Sequence, residues 1–340
     1  MPDPAATRRD DAPGAVTVES GARLHFGFVN LSLAHERLYG AVGVGLEGPR
    51  VRLRVAPADA VEADHHAVRD YAERACGLLG VDGARVEVEA ELPRHMGLGS
   101  GTQLALAALA GVAGAYGLDP AVRERAPALG RGGRSGVGVA TFEGGGFVLD
   151  AGHPTGRFTA DPPPDGDWRV PAVAARHRVP DDWRFLLVVP DADPGRAGDD
   201  EDSAIRRAVE DADPAVADRV AGVIQRRLLP AIAEGSAERF GAAVEEIGRL
   251  NGAWFADEQG GVYRPPVGDV VAELTESPAV YGAGQSSWGP TVYGVTDAGR
   301  AGDARDAGEA ALAAAGVGGD VRVVEPRNRG AEIRADRHNA

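Results

Sequence analysis

A chain of 340 residues, 44% of them hydrophobic, has enough apolar material for two cores rather than one. Its net charge of −15 excludes a bulk electrostatic attraction to nucleic acid, and no apolar run is long enough to cross a bilayer. One cysteine, Cys76, excludes an internal disulfide and any multi-cysteine metal centre, and its apolar helical setting points to packing. All 36 Lys/Arg positions are arginine, which excludes a Walker A loop, a pyridoxal phosphate Schiff base and a lysine-dependent aldolase. An acidic, lysine-free surface is expected of a protein working in very high salt, and a cytoplasmic enzyme is the default expectation.

Residues 1–14 are polar and rich in Pro, Asp and Arg, the composition of a disordered tail and not of a signal peptide. Strands are expected at 16–19 and 22–28 around a turn at Ser20-Gly21, then at 41–46 and at the alternating run 51–55. Residues 64–79 have helical spacing, with Val68, Ala72, Ala75, Cys76 and Leu79 on one face. The alternation at 86–91 predicts another strand, and 104–116 is an Ala/Leu segment apolar on all sides, hence a buried helix.

Between that strand and that helix lies Leu92-Pro93-Arg94-His95-Met96-Gly97-Leu98-Gly99-Ser100-Gly101-Thr102-Gln103. A loop feeding a helix N-terminus presents unpaired N–H groups and the positive end of the macrodipole, so an anion is its natural occupant. Glycines at 97, 99 and 101 allow φ > 0 and close approach to the amides, while Ser100 and Thr102 add hydroxyls or cap the helix.

Further on, residues 119–129 read as a second helix closed by Gly130, and a second glycine cluster, 130–138, leads into a hairpin at 139–143 and 146–150. Residues 152–180, rich in Pro and Asp, read as the connection between domains. A buried strand at 183–190, helices over 203–256, strands at 280–282 and 291–296, a helix at 303–315 and a strand at 321–326 predict a ferredoxin-like second domain. Domain boundaries fall at 15–165 and 180–326, with 327–340 a polar tail. A third glycine-rich piece, 281–290, contains Ser286, Ser287 and Trp288. Three such loops suit a phosphate-bearing ligand, which needs amides and hydroxyls from several directions.

The segment Pro93-x-x-x-Gly97-Leu98-Gly99-Ser100-Gly101 resembles the phosphate-binding loop of the GHMP kinase superfamily. The resemblance spans residues 16–326 and implies an α+β fold: an N-terminal sheet and helix domain followed by a ferredoxin-like one. Where kinases of this group carry an acid in a Pro-Ser-Gly-x-Asp segment, this chain has Arg134-Ser135-Gly136-Val137-Gly138, and Ser20-Gly21-Ala22-Arg23 stands where their N-terminal lysine would be. The pieces Ala22-Arg23-Leu24-His25-Phe26-Gly27, Gly97 to Gln103, Arg131 to Gly136 and Gly284 to Pro290 look more like one non-kinase branch, the β-ribofuranosylaminobenzene 5′-phosphate synthases. That branch implies a condensation of phosphoribosyl diphosphate with 4-aminobenzoate or 4-hydroxybenzoate, with loss of CO2 and pyrophosphate, towards tetrahydromethanopterin-type cofactors. It also implies Mg²⁺ and a homodimer. A small-molecule kinase and a non-catalytic phosphometabolite-binding regulator are the alternatives.

On this reading Gly97, Leu98, Gly99, Ser100, Gly101, Thr102 and Gln103 hold the diphosphate. Arg23 and His25 are the catalytic candidates, one of the two being expected to meet the cleft from its strand. Arg131, Arg134, Ser135, Ser286 and Ser287 are expected to bind substrate, with arginine suited to a carboxylate, and Trp288 to stack on a ring or fill a turn. Metal ligands are not assigned. The acidic run at 199–202 reads first as an exposed helix start and second as a holder of Mg²⁺ or of a diphosphate's metal, His65-His66 as surface, and His95 as part of the anion loop.

Overall fold

The computed structural model describes residues 14–161, 163–164, 166–195 and 199–336; the expected N-terminal tail, apart from Gly14, and the last four positions lie outside them. Strands β1 (Val16–Asn30) and β2 (Arg37–Pro57) pair antiparallel over nearly their whole lengths. Because β2 is so long, it serves three further partners: β3 (Ala84–Ala90) along its second half, and β4 (Phe147–Asp150) and β5 (His153–Pro154) along its first. With β6 (Val173–His177) beyond β4, the sheet runs β11-β1-β2-β4-β6, β11 being Glu332–Ala335.

Two helices cover this sheet, α1 (His66–Leu79) and α2 (Ser100–Ala115). Cys76 of α1 is buried in the core, as expected. The small side chains of α2 let it lie close on the sheet: a Cβ at Gly111 would stand 2.5 Å from Val55 Cγ2. A one-turn α3 (Val122–Arg125) and α4 (Val137–Gly144) follow.

The second domain starts with β7 (Trp183–Pro190), followed by α5 (Asp199–Glu210), α6 (Pro214–Val223), a π turn at Ile224–Leu228, α7 (Leu229–Glu234), α8 (Ala237–Trp254), α9 (Ala256–Gln259) and α10 (Val267–Thr275). Then come β8 (Gly282–Gln285), β9 (Val292–Asp297), α11 (Ala301–Ala314) and β10 (Gly319–Val324). The sheet order β10-β7-β9-β8, all antiparallel, is the ferredoxin-like arrangement expected from the sequence. Helix α8 ties the domains together, because the Asn251 side chain accepts the Phe28 N–H at 2.6 Å and donates to the Phe28 carbonyl at 3.0 Å. No helix among the described residues is long and apolar enough to cross a membrane.

Three expectations are corrected. Residues 139–143 are helix α4, not the first arm of a hairpin; valines at 137 and 139 yield to burial on all sides against α2 and the sheet. The stretch 152–180 is not a free connection, since β5 and β6 belong to the first sheet. Residues 327–336 are no tail: β11 covers the edge of β1, an edge that would otherwise leave a row of N–H and C=O groups unpaired. The buried Arg327, 2% exposed, anchors the turn before it through Glu47 at 2.9 Å.

Arg327→Met leaves that end of the chain without its buried cation. Loss of roughly 3 kcal/mol is expected, read as a lower denaturant midpoint with an unchanged slope; an unshifted midpoint would show that β11 holds itself.

Candidate active site

The loop before α2 opens on a cleft of about 750 Å³. Gly97 (φ 86°) and Gly99 (φ 82°) take the left-handed conformation foreseen for them. Gly99 is the cap of α2, and its carbonyl accepts from Thr102 and Gln103 at 3.1 and 3.0 Å. No side chain caps this helix, so the Ser100 and Thr102 hydroxyls are not spent there, contrary to one expectation. Among the described residues the N–H groups of 97 through 101 have no hydrogen-bond acceptor. Five consecutive unpaired donors at a helix N-terminus form a nest for an anion. Gly97, Gly99, Ser100, Gly101 and Thr102 line the cleft. Leu98 and Gln103 do not: Leu98 is buried in the core, and the Gln103 amide donates to the Gly138 carbonyl at 3.0 Å.

Neighbours fix the loop through its carbonyls and leave the amides open. Arg23 donates from Nη1 to the Gly97 carbonyl at 2.8 Å and from its N–H to the Leu98 carbonyl at 3.1 Å. From the second domain, Ser286 Oγ donates to the Gly97 carbonyl at 2.7 Å and accepts the His25 N–H at 3.2 Å, while Thr291 Oγ1 donates to the Met96 carbonyl. Ser286 is fully buried, so it orients the loop instead of meeting a ligand. Ser287 does line the cleft and donates its N–H to the His25 carbonyl at 3.3 Å.

Both Arg23 and His25 border the cleft, because residues two apart on a strand share a face. Burial lowers Arg23 to about 10, with Glu201 opposing the shift, so it is a cation at neutral pH. Burial first, then the Arg23 charge, drive His25 down to about 3, which keeps its imidazole neutral.

The second glycine cluster forms the far wall, where Arg131, Arg134 and Ser135 line the cleft. The Nε atoms of Arg131 and Arg134 are buried without a hydrogen-bond partner among the described residues. Trp168 Nε1 donates to the Arg131 carbonyl at 3.1 Å, and Asp150 accepts the Gly136 and Gly152 N–H groups at 2.8 and 2.9 Å. Burial raises Asp150 to about 6 against those bonds. Asp150 was not singled out by sequence reasoning; a lone Asp at a strand end carries no pattern. The start of α5 corrects the exposed reading of the acidic run. Glu201 and Asp202 face the cleft, with Asp202 bonded to Arg134 and Glu201 4.0 Å from it. Burial raises the Glu201 pKa even with Arg134, Arg23 and Arg131 nearby. The Asp199 and Asp200 side chains lie outside the description. His65 caps α1, accepting from the Val68 N–H, and His66 faces the cleft mouth.

A helix start with open amides sits between a β-rich domain and a ferredoxin-like one, and residues 65–146 match the GHMP kinases N terminal domain while 228–314 match the GHMP kinases C terminal family. The fold is shared with the mevalonate pyrophosphate decarboxylase of Streptococcus pyogenes, at a TM-score of 0.66 and 12% identity over 93% of this chain and 98% of that one. In sequence the chain is 33% identical to the β-ribofuranosylphenol 5′-phosphate synthase of Methanothermobacter thermautotrophicus and 31% to that of Archaeoglobus fulgidus, covering in each case 92% of this chain and 97% of the relative. The chain belongs to the β-ribofuranosylphenol 5′-phosphate synthase family and is an enzyme of the pentosyltransferase type.

His25 and His153, the latter lowered to about 4 chiefly by burial, bind fewer protons folded than unfolded. Their contribution to stability is present above about pH 6.5 and is lost as pH falls towards 4 and 3. Asp150, raised to about 6, acts oppositely, losing stability as pH rises from about 4 through 6. With two groups against one, the melting temperature is expected to drop between pH 7.5 and 5, and His153→Gln or His25→Gln to flatten that drop. Identical slopes in all three proteins would contradict these assignments.

Proposed function

We propose that the enzyme condenses phosphoribosyl diphosphate with 4-hydroxybenzoate or 4-aminobenzoate, giving the C-riboside 5′-phosphate, CO2 and pyrophosphate on the way to a tetrahydromethanopterin-type cofactor. The observation that carries this reading is the row of free amides at residues 97–101 facing an arginine-rich wall. The product named for the relatives, a ribofuranosylphenol phosphate, favours the hydroxybenzoate.

The C1–O bond of the ribose breaks and its electron pair leaves with pyrophosphate, whose growing charge falls on the amides and on Arg23. Arg131 and Arg134, which line the cleft opposite the amides, take a second anionic group, the 5′-phosphate or the carboxylate. The ring carbon bearing the carboxylate forms the new C–C bond, and loss of CO2 returns the electrons to the ring. Such chemistry asks the protein for positioning and charge, not for a nucleophile. A neutral His25 suits the place where the ribosyl carbon becomes oxocarbenium-like, since a second cation there would oppose it.

Among the described residues no group of three or more His, Cys, Asp or Glu could hold a metal, but Mg²⁺ needs only one or two carboxylates beside phosphate oxygens. Glu201 and Asp202 would hold it. When bound, it supplies charge neutralisation for the diphosphate.

A phosphotransfer reading is less well supported. Gly138 stands where the kinases carry their acid, and a Cβ there would already be 3.0 Å from Thr102 Cγ2.

Gly99→Val puts a branched side chain at φ 82° and 2.9 Å from Arg23 Cγ. Turnover is expected to fall roughly a hundredfold or more, measured as pyrophosphate and CO2 released together in high salt with ADP followed as a control. Full retained activity would remove the loop from the site, and ADP formation dependent on an acceptor would replace the synthase by a kinase.

A further inference from the structure

Beside the cleft lies a second, smaller cavity of about 50 Å³; His25, Phe28, Ser287 and Trp288 border both. Its walls come from β1, from α8, from the segment 255–263 that follows α8, and from the end of β8 and the turn after it, so it is built where the two domains meet. Phe28 packs edge-on against His25 at 5.1 Å between centroids, and Phe255 against Trp288 at 4.6 Å. Aromatic walls of this kind favour a flat π-faced ligand.

The amide side chains of the cavity are all committed elsewhere. Asn251 uses its oxygen on the Phe28 N–H and its nitrogen on the Phe28 and Ile247 carbonyls. Gln285 accepts the Arg264 N–H at 3.2 Å and donates to the Ser287 carbonyl at 3.0 Å. Gln259 donates to the Val262 carbonyl at 2.7 Å. The uncommitted polar groups are Tyr263, whose hydroxyl makes no hydrogen bond among the described residues, and, at the rim shared with the cleft, the His25 ring and the Ser287 hydroxyl; of the three only Tyr263 borders this cavity alone. No arginine lines the cavity. A sugar, with a hydroxyl on most carbons, would lose hydrogen bonds there, and a carboxylate would meet no cation. A ring with one uncharged polar substituent loses little.

We propose that this cavity is the acceptor subsite: the aromatic ring enters it with its para hydroxyl or amine directed at Tyr263, and its carboxylate stays at the mouth. This rests on the reaction proposed above and deepens it. Size agrees, since 50 Å³ is a few times the roughly 10–15 Å³ that one water needs, room for the leading edge of a ring and its substituent but not for a ribose phosphate. The orientation also accounts for the position of bond formation. With the para group inside, the carbon bearing the carboxylate faces the cleft, where Arg23 and the amide nest hold the diphosphate. The aromatic cavity thus selects the acceptor, and its depth selects the reacting carbon.

The test uses the full-length enzyme with Tyr263→Phe, which keeps the shape and removes the hydroxyl, and Gly248→Val, which fills the cavity from α8. A Cβ at Gly248 would lie 3.2 Å from the Tyr293 hydroxyl and 3.8 Å from that of Tyr263. Tyr263→Phe is expected to raise KM for 4-hydroxybenzoate roughly fivefold to tenfold while leaving KM for phosphoribosyl diphosphate unchanged, and Gly248→Val to abolish saturation by the acceptor alone. If both variants keep the acceptor KM within a factor of two, the ring binds elsewhere and the proposal is overturned while the reaction stands. Should the wild-type enzyme release no pyrophosphate with either benzoate, the reaction is wrong. Calorimetric titration with 4-hydroxybenzoate then decides the subsite: binding weakened in Tyr263→Phe supports it, and binding equal in both proteins, or absent in wild type, refutes it.

Discussion

A close backbone-to-backbone contact between the two domains holds the anion loop in shape. A Cβ at Gly97 would stand 2.1 Å from the Ser286 carbonyl oxygen, and one at Gly289 would stand 2.0 Å from the Met96 carbonyl carbon. Only two glycines allow these main chains to touch, and the hydroxyls of Ser286 and Thr291 then satisfy the carbonyls of residues 96 and 97. With the carbonyls occupied from behind and by Arg23, the N–H groups face the open side. The nest is therefore a product of both domains, although every amide in it belongs to the first.

The same contact explains the division of the site into two environments. On the loop side the chain offers cations and free donors, and on the side of α8 it offers rings and side-chain amides already bonded to the main chain. His25 and Ser287 stand on the boundary, joined through the backbone. Burial keeps His25 uncharged, so charge is confined to the side where a diphosphate would need it. The loop that carries Arg131 and Arg134 is held at the far wall by its main chain, the Arg131 carbonyl accepting from Trp168 Nε1 and the Gly136 N–H donating to the Asp150 carboxylate.

Balance between carboxylates and arginines in the cleft sets what can enter. Glu201 and Asp202 moderate the three arginines, and because Asp202 and Glu201 sit on α5, a helix of the second domain, the potential of the site depends on how that helix lies over the first. A cleft with cations alone would hold any polyanion; one with paired carboxylates favours an anion that brings, or shares, a divalent cation.

Much of this was legible in the residues. The glycine spacing at 97, 99 and 101, the buried Ala/Leu helix and the strand and helix order of the second domain follow from local rules of φ, periodicity and helix ends, which act over a few residues. Other features were decided only by the tertiary structure. Val137–Gly144 became helical because it is enclosed on all sides, Glu332–Ala335 became a strand because β1 had a bare edge, and Ser286 turned inward because a carbonyl of the other domain needed a donor. Glu201 left the solvent for the cleft for a similar reason, arginines some 70 to 180 positions away in the chain converging on it. Local sequence sets what a segment prefers by itself, whereas partners brought from hundreds of residues away set which preference survives, and no short-range pattern records them.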